Sequence, residues 1–147
     1  MAQSVKIEEI KARNLLEKLQ QNKGVVVVNF WSTWCKPCVE EIPHFLQVYH
    51  AQNRDSVQLW LVSQDTKDLY YSGKLKDYIS KKDNWSKANF FWFNETNADY
   101  YCPLVDSTWS GVIPATLIVN PAKGYRKFFE ETMSAELLTN EILKALK

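Results

Sequence analysis

Two cysteines with two residues between them, Cys35 and Cys38, follow directly on the apolar run Gly24-Val25-Val26-Val27-Val28-Asn29-Phe30 and open a helical stretch. That order constrains the fold more than any other feature of the chain. A run apolar at nearly every position reads as a strand covered on both faces. Such a strand, feeding a helix at the thiol pair, calls for an α/β architecture. At the mouth of a helix, unpaired backbone N–H groups point outward and the dipole favours negative charge, so a Cys35 thiolate is stabilised there. Cys38 lies one turn further in and can reach back to Cys35. Pro37 suits a first helical turn, because its fixed φ is helical and the N–H it lacks has no partner at that position. Lys36 adds a cation beside the thiolate.

Two thiols this close form either a redox couple or half of a metal site. A structural zinc site needs four ligands. The chain has three Cys and two His in all, with Cys102 far off in Tyr100-Tyr101-Cys102-Pro103, and His44 and His50 at no ligand spacing. The strand–CxxC–helix context favours the redox pair, with metal and an inert reduced pair as alternatives. If the Cys35 pKa falls from about 8.5 to about 7, its thiolate fraction at neutral pH rises roughly 15-fold while intrinsic nucleophilicity drops about 5-fold. The larger consequence is thermodynamic: a stabilised thiolate makes the disulfide more oxidising.

The segment Asn29-Phe30-Trp31-Ser32-Thr33-Trp34-Cys35-Lys36-Pro37-Cys38-Val39-Glu40-Glu41-Ile42-Pro43 resembles the active-site signature of thioredoxin-like proteins, in particular the TlpA/ResA-like thiol–disulfide oxidoreductases. A second block, Trp109-Ser110-Gly111-Val112-Ile113-Pro114-Ala115-Thr116-Leu117-Ile118-Val119-Asn120, is similar to that family's cis-proline loop and following strand. The resemblance implies a thioredoxin fold: a central mixed β-sheet flanked by helices, with an insertion before the cis-proline loop. It also implies an enzyme without a bound cofactor. Cys35 is then the attacking, solvent-facing thiol and Cys38 the buried resolving thiol. Pro114 follows a cis bond and lies against the disulfide, and the Ile113 backbone pairs with an extended substrate. Trp34 and Trp109 flank the site and, with Lys36, Pro37 and Ile113, form the expected substrate contacts.

Where thioredoxin itself has a buried Asp in the strand before the motif, this chain has Asn29, which cannot exchange a proton. Glu41 stands where many TlpA/ResA-like members have Glu, and i,i+3 spacing puts it on the same helix face as Cys38. It is the candidate proton acceptor, against the plainer reading of an exposed carboxylate near a helix start. Glu40 is expected to face water. Lys36, in place of a neutral or acidic residue, is expected to make the couple more oxidising.

At 147 residues, the chain is long enough to bury roughly 70% of its unfolded surface, and it is expected to form one domain over residues 1–147. Eighteen basic residues against 17 acidic give a net charge of +1, which argues against a nucleic-acid or anionic-membrane surface. No apolar run approaches a membrane span. Met1-Ala2-Gln3-Ser4 is polar and does not read as a signal peptide. The resemblance nevertheless points to the periplasm or another extracytoplasmic compartment, with a removed signal, and the cytoplasm stands as the alternative. The expected partners are disulfide-containing or dithiol proteins and an unidentified redox partner that recharges the pair, acting on a monomer. Reductase work is the first expectation; oxidase, isomerase and peroxidase-linked roles are alternatives, as is a non-catalytic binding module.

Along the chain, Ala12, Leu15, Leu16 and Leu19 mark an amphipathic first helix ending near Asn22-Lys23-Gly24. Ile42, Phe45, Leu46 and Tyr49 continue the helix after the motif, with a kink expected at Pro43. Val57–Val62 reads as a neighbouring parallel strand, Lys74–Lys81 as a helix and Phe90–Phe93 as a short strand. Ala115–Val119 and Tyr125–Phe129 read as a hairpin, and Ser134 as the cap of a last helix carrying Leu138, Ile142, Ala145 and Leu146. The aromatic-rich segment from Gln64 to Gly111 is expected mainly to fill a core. The acceptor patterns at Asn84 and Asn94 read as chance matches.

Overall fold

The computed structural model describes residues 5–147; the polar start Met1-Ala2-Gln3-Ser4 lies outside the described residues. The elements run β1 (Ile7–Ile10), α1 (Ala12–Gln21), β2 (Val25–Trp31), α2 (Lys36–His50), β3 (Val57–Ser63), α3 (Lys67–Tyr71), α4 (Lys74–Ser80), β4 (Asn89–Phe93), α5 (Ala98–Val105), β5 (Ala115–Asn120), β6 (Tyr125–Phe129) and α6 (Ala135–Leu146). Six strands form one mixed sheet in the order β1-β4-β3-β2-β5-β6. The first four in that order pair parallel, while β5 runs antiparallel to β2 and β6 antiparallel to β5. No helix among the described residues is long and apolar enough to cross a membrane.

Every residue of β2 is buried, and the alternation of side chains along a strand divides them between two cores. Val25, Val27 and Trp31 join Ile42, Phe45 and Tyr49 of α2 and Leu138, Ile142 and Ala145 of α6. Val26, Val28 and Phe30 face the other way, onto Leu15 and Leu19 of α1 and Cys102 and Val105 of α5. The sheet is therefore covered on both faces, which is what its continuous apolar strands require. Gly24, just before β2, has φ +101°, and a Cβ there would lie 2.6 Å from the Ser56 carbonyl oxygen. Only glycine fits this approach of the chain to β3.

Three elements were not legible as such in the sequence: β1, α3 and α5. β1 is a four-residue edge strand, Ile-Glu-Glu-Ile, paired with β4 across the chain. α5 carries Pro103 inside it and starts at Asn97, whose side chain accepts a hydrogen bond from the Asp99 N–H. The connection β5–β6 is the expected hairpin, closed by a short 3₁₀ turn at Pro121–Lys123 and Gly124 at φ +66°. Ser134 caps α6, its side chain accepting from the Leu137 N–H.

Most of the aromatics between β3 and β5 are core residues: Trp85, Phe90, Phe91, Trp92 and Phe93 are buried, whereas Tyr71 and Tyr100 are exposed. Trp31 sits where this set meets the end of β2, its ring centroid 5.5 Å from Trp85, 6.3 Å from Phe90 and 6.4 Å from Tyr78. Its Nε1 has no partner among the described residues, so the side chain contributes through packing. Trp31→Ala is expected to lower unfolding stability by about 3–5 kcal/mol, measured by urea denaturation of the two proteins side by side.

Candidate functional site

The C-terminal end of β2 delivers the chain into a turn, Ser32 to Cys35, in which the Cys35 N–H donates to the Ser32 carbonyl at 3.2 Å. This turn is pinned from the neighbouring strand's end by Asp65. The Asp65 carboxylate accepts from the Thr33 N–H at 3.1 Å, from the Thr33 hydroxyl at 2.7 Å and from the Ser63 hydroxyl at 2.6 Å. Trp92 Nε1 in turn donates to the Asp65 carbonyl at 2.7 Å. Cys35 is then the N-cap of α2, with Pro37 in the first turn. The order strand, turn, thiol, helix thus arises because β2 must stay buried while α2 begins where the backbone N–H groups are free.

Cys35 and Cys38 are joined as a disulfide, their Cα atoms 5.3 Å apart. The Ile113–Pro114 peptide is cis, and the Ile113 carbonyl oxygen lies 3.8 Å from Cys35 Sγ. The second block of sequence is therefore folded against the first. Pro114 is buried, Ile113 half-buried and Val112 exposed.

Two expectations need correction. Cys35 is not broadly solvent-facing: it is 5% exposed, covered in the disulfide by its own turn and by the Ile113 loop. Trp34, 67% exposed, is the apolar surface beside it. Trp109 is not on the rim of the site either. It is 4% exposed and lies in the core on the other face of the sheet, 4.6 Å from the Phe30 ring and 5.5 Å from Tyr101. Its Nε1 donates to the Val112 carbonyl at 2.9 Å, so it braces the proline loop from behind. The indole finds better burial among those aromatics than it would at a rim.

Lys36 is exposed, and its Nζ is 3.9 Å from Glu40 Oε1. The exposed carboxylate offsets part of the cation's pull on a Cys35 thiolate, and a surface pair of this kind adds little to stability. Pro37, Glu40, Glu41, His44, Thr132, Met133 and Ser134 line a cleft of about 300 Å³ on this side of α2. His50 is half-buried and 3.1 Å from an Arg54 guanidinium nitrogen. Among the described residues no group of three or more His, Cys, Asp or Glu is assembled as a metal site.

Glu41 is 3% exposed, which removes the reading of it as an ordinary carboxylate in water. Its Oε2 accepts from the Met133 N–H at 2.6 Å and its Oε1 from Asn29 Nδ2 at 3.0 Å. Burial raises its pKa from 4.5 to about 7, and these two donors pull the other way without offsetting it. Between those pH values the folded chain holds a proton that the unfolded chain has released. Folding stability therefore falls as pH rises through this window, by roughly 3 kcal/mol in all. Glu41→Gln removes the titration, so its stability profile is expected to lack that decline. Urea unfolding of both proteins at a series of pH values between 4 and 8 measures it, and parallel profiles would contradict it. The Met133 contact lies 92 residues away in sequence, and no local pattern announces it.

Comparison with known proteins gives the site a context. The AhpC/TSA family pattern matches residues 3–124. Thiol-disulfide oxidoreductase ResA from Bacillus thuringiensis subsp. konkukian is 29% identical over 75 residues, covering 51% of this chain and 43% of that protein. Sporulation thiol-disulfide oxidoreductase A from Bacillus subtilis is 44% identical over 43 residues, 29% of this chain and 26% of that one. The match thus spans less than half the length of these curated relatives. Among solved structures, a thioredoxin-related protein from Neisseria meningitidis serogroup B superimposes with a TM-score of 0.65 at 28% identity, covering 86% of this chain and 89% of that chain. StoA from Bacillus subtilis superimposes with a TM-score of 0.55 at 27% identity, covering 82% and 84% of the two chains.

Proposed function

This chain belongs to the AhpC/TSA family and has the thioredoxin fold, and from that premise we propose that it is a protein thiol–disulfide oxidoreductase working as a reductase. The observation that carries the reading is the Cys35–Cys38 disulfide at the N-terminus of α2, set against the carbonyl that precedes a cis proline. In the dithiol form, the Cys35 thiolate attacks one sulfur of a substrate disulfide. A Cys35–substrate mixed disulfide forms and the other substrate sulfur leaves as thiolate. Cys38 then attacks Cys35 Sγ, the intramolecular disulfide closes, and the second substrate thiolate departs. Two electrons pass from the protein to the substrate. A dithiol partner returns them.

Glu41, one turn after Cys38 and with a pKa raised to about 7, takes the resolving thiol's proton near neutral pH. Trp34 and Val112, both exposed and adjacent in sequence to Cys35 and Ile113, offer apolar contacts, and the Ile113 backbone offers a hydrogen-bonding edge to an extended segment. Lys36 and Pro37 border this surface. Cys35, Cys38, Glu41 and Pro114 form the reaction centre. The substrates are disulfide-bonded proteins, the protein acts as a monomer over residues 1–147, and its compartment is extracytoplasmic, where such substrates form. The test is reduction of insulin disulfides by dithiothreitol, followed as turbidity. Substoichiometric protein is expected to accelerate it, and a rate equal to dithiothreitol alone would remove the reading.

A further inference from the structure

We propose that Thr116 is a positioning residue for the Glu41 carboxylate, acting through the side-chain amide of Asn29. The proposal rests on the reading of Glu41 as proton acceptor and adds the device that holds it. Asn29 on β2 and Thr116 on β5 stand directly opposite each other in the antiparallel register. Both are fully buried, on the sheet face that meets α2. Asn29 Nδ2 donates one hydrogen to Glu41 Oε1 at 3.0 Å and the other to Thr116 Oγ1 at 3.1 Å. Asn29 Oδ1 has no partner among the described residues.

That imbalance is informative. A buried amide normally satisfies its carbonyl as well as its NH₂. Here both N–H groups are spent on the two oxygens and the carbonyl is left bare. The reverse orientation would set the carbonyl against the carboxylate. The carboxylate therefore sets which way the amide faces, and the Thr116 hydroxyl, accepting the second N–H, anchors the amide from β5 so that its first N–H stays aimed at Glu41. Thr116 follows Pro114 by two residues, so the strand that leaves the cis proline also helps fix the state of the carboxylate behind Cys38.

The other groups near Glu41 do not supply this effect. From α2, Cys38 precedes it by one turn, and Glu40 and His44 share its cleft, with Glu40 engaged by Lys36. The loop before α6 presents Thr132, Met133 and Ser134. From β2 and β5 the groups in this network are the uncharged Asn29 and Thr116.

The experiment compares Thr116→Val, which keeps the β-branched shape and removes the acceptor, with Thr116→Ser, which restores a hydroxyl. Urea-unfolding stability is measured from pH 4 to pH 9 for each, alone and combined with Glu41→Gln, so that the difference isolates the Glu41 titration and His44 cancels. Thr116→Val is expected to raise the Glu41 midpoint by about one pH unit, a tenfold weaker acid, because the unanchored Asn29 amide turns away and its hydrogen bond to the charged carboxylate is lost with it. Thr116→Ser is expected to keep the midpoint near that of the parent. An unchanged midpoint in Thr116→Val, or an equal shift in both variants, overturns the proposal. If the Val protein does not fold, Thr116→Ala is held to the same criterion. The readout needs no turnover, so it stands whether or not insulin is reduced, and the two readings fail separately.

Discussion

Cys35→Ser is expected to bring insulin reduction down to the rate of dithiothreitol alone, a loss of about a thousandfold or more in the protein's own contribution. The size follows from the geometry. Cys35 is the residue whose sulfur faces the Ile113 carbonyl, 3.8 Å away, at the start of α2. The free N–H groups of that helix end stabilise a thiolate at Cys35 and not at Cys38, which begins no helix and is fully buried. A serine hydroxyl at position 35 is far too weak an acid to be ionised there at neutral pH, so no second nucleophile replaces it. Cys102 does not substitute. It lies in the core on the opposite face of the sheet, 4% exposed, and burial pushes its thiol pKa up.

Cys38→Ser is expected to behave differently: attack survives and release fails. The Cys35 thiol still reaches a substrate disulfide, but the mixed disulfide has no neighbouring sulfur to resolve it. In the native protein the Cα atoms of Cys35 and Cys38 are 5.3 Å apart, and a nucleophile held at that range acts at an effective concentration far above that of millimolar dithiol in solution. Turnover should therefore fall on the order of a hundredfold, and covalent complexes with substrate should accumulate on non-reducing gels. Steady-state rates alongside gel densitometry would measure both. A variant that keeps the parent rate would mean that resolution by external thiol is sufficient, and that Cys38 closes a structural disulfide.

The parts of this molecule that were legible in the sequence are those with local causes. β2 is apolar at every position but Asn29 because both its faces are covered, and the helix that follows is marked by its thiol pair, its Pro37 and its periodic Ile42, Phe45 and Tyr49. The hairpin β5–β6 and the Ser134 cap were legible for the same reason. What stayed hidden depends on distant partners. β1 spells Ile-Glu-Glu-Ile, a pattern without alternation, and it is a strand because β4 offers an edge more than 80 residues later. Asp65 looks like a loop acid until Thr33 and Ser63 are found donating to it. Glu41 could be read as an N-terminal helix carboxylate in water, because the Met133 N–H that donates to it lies far along the chain, in the loop before α6. Trp109 was misread for a related reason: adjacency in sequence to the proline loop does not reveal which face of the sheet receives the ring.

If Cys35 exchanges disulfides with other proteins and Cys38 resolves them, the position of the trapped sulfur reports it. Cys38→Ser protein is incubated with a disulfide-bonded substrate, quenched by acid, digested without reduction and mapped by mass spectrometry. Adducts are expected on Cys35, and none in Cys35→Ser or in the double variant. Adducts that map chiefly to Cys102, or their absence from Cys38→Ser under conditions where the parent turns over, would contradict it.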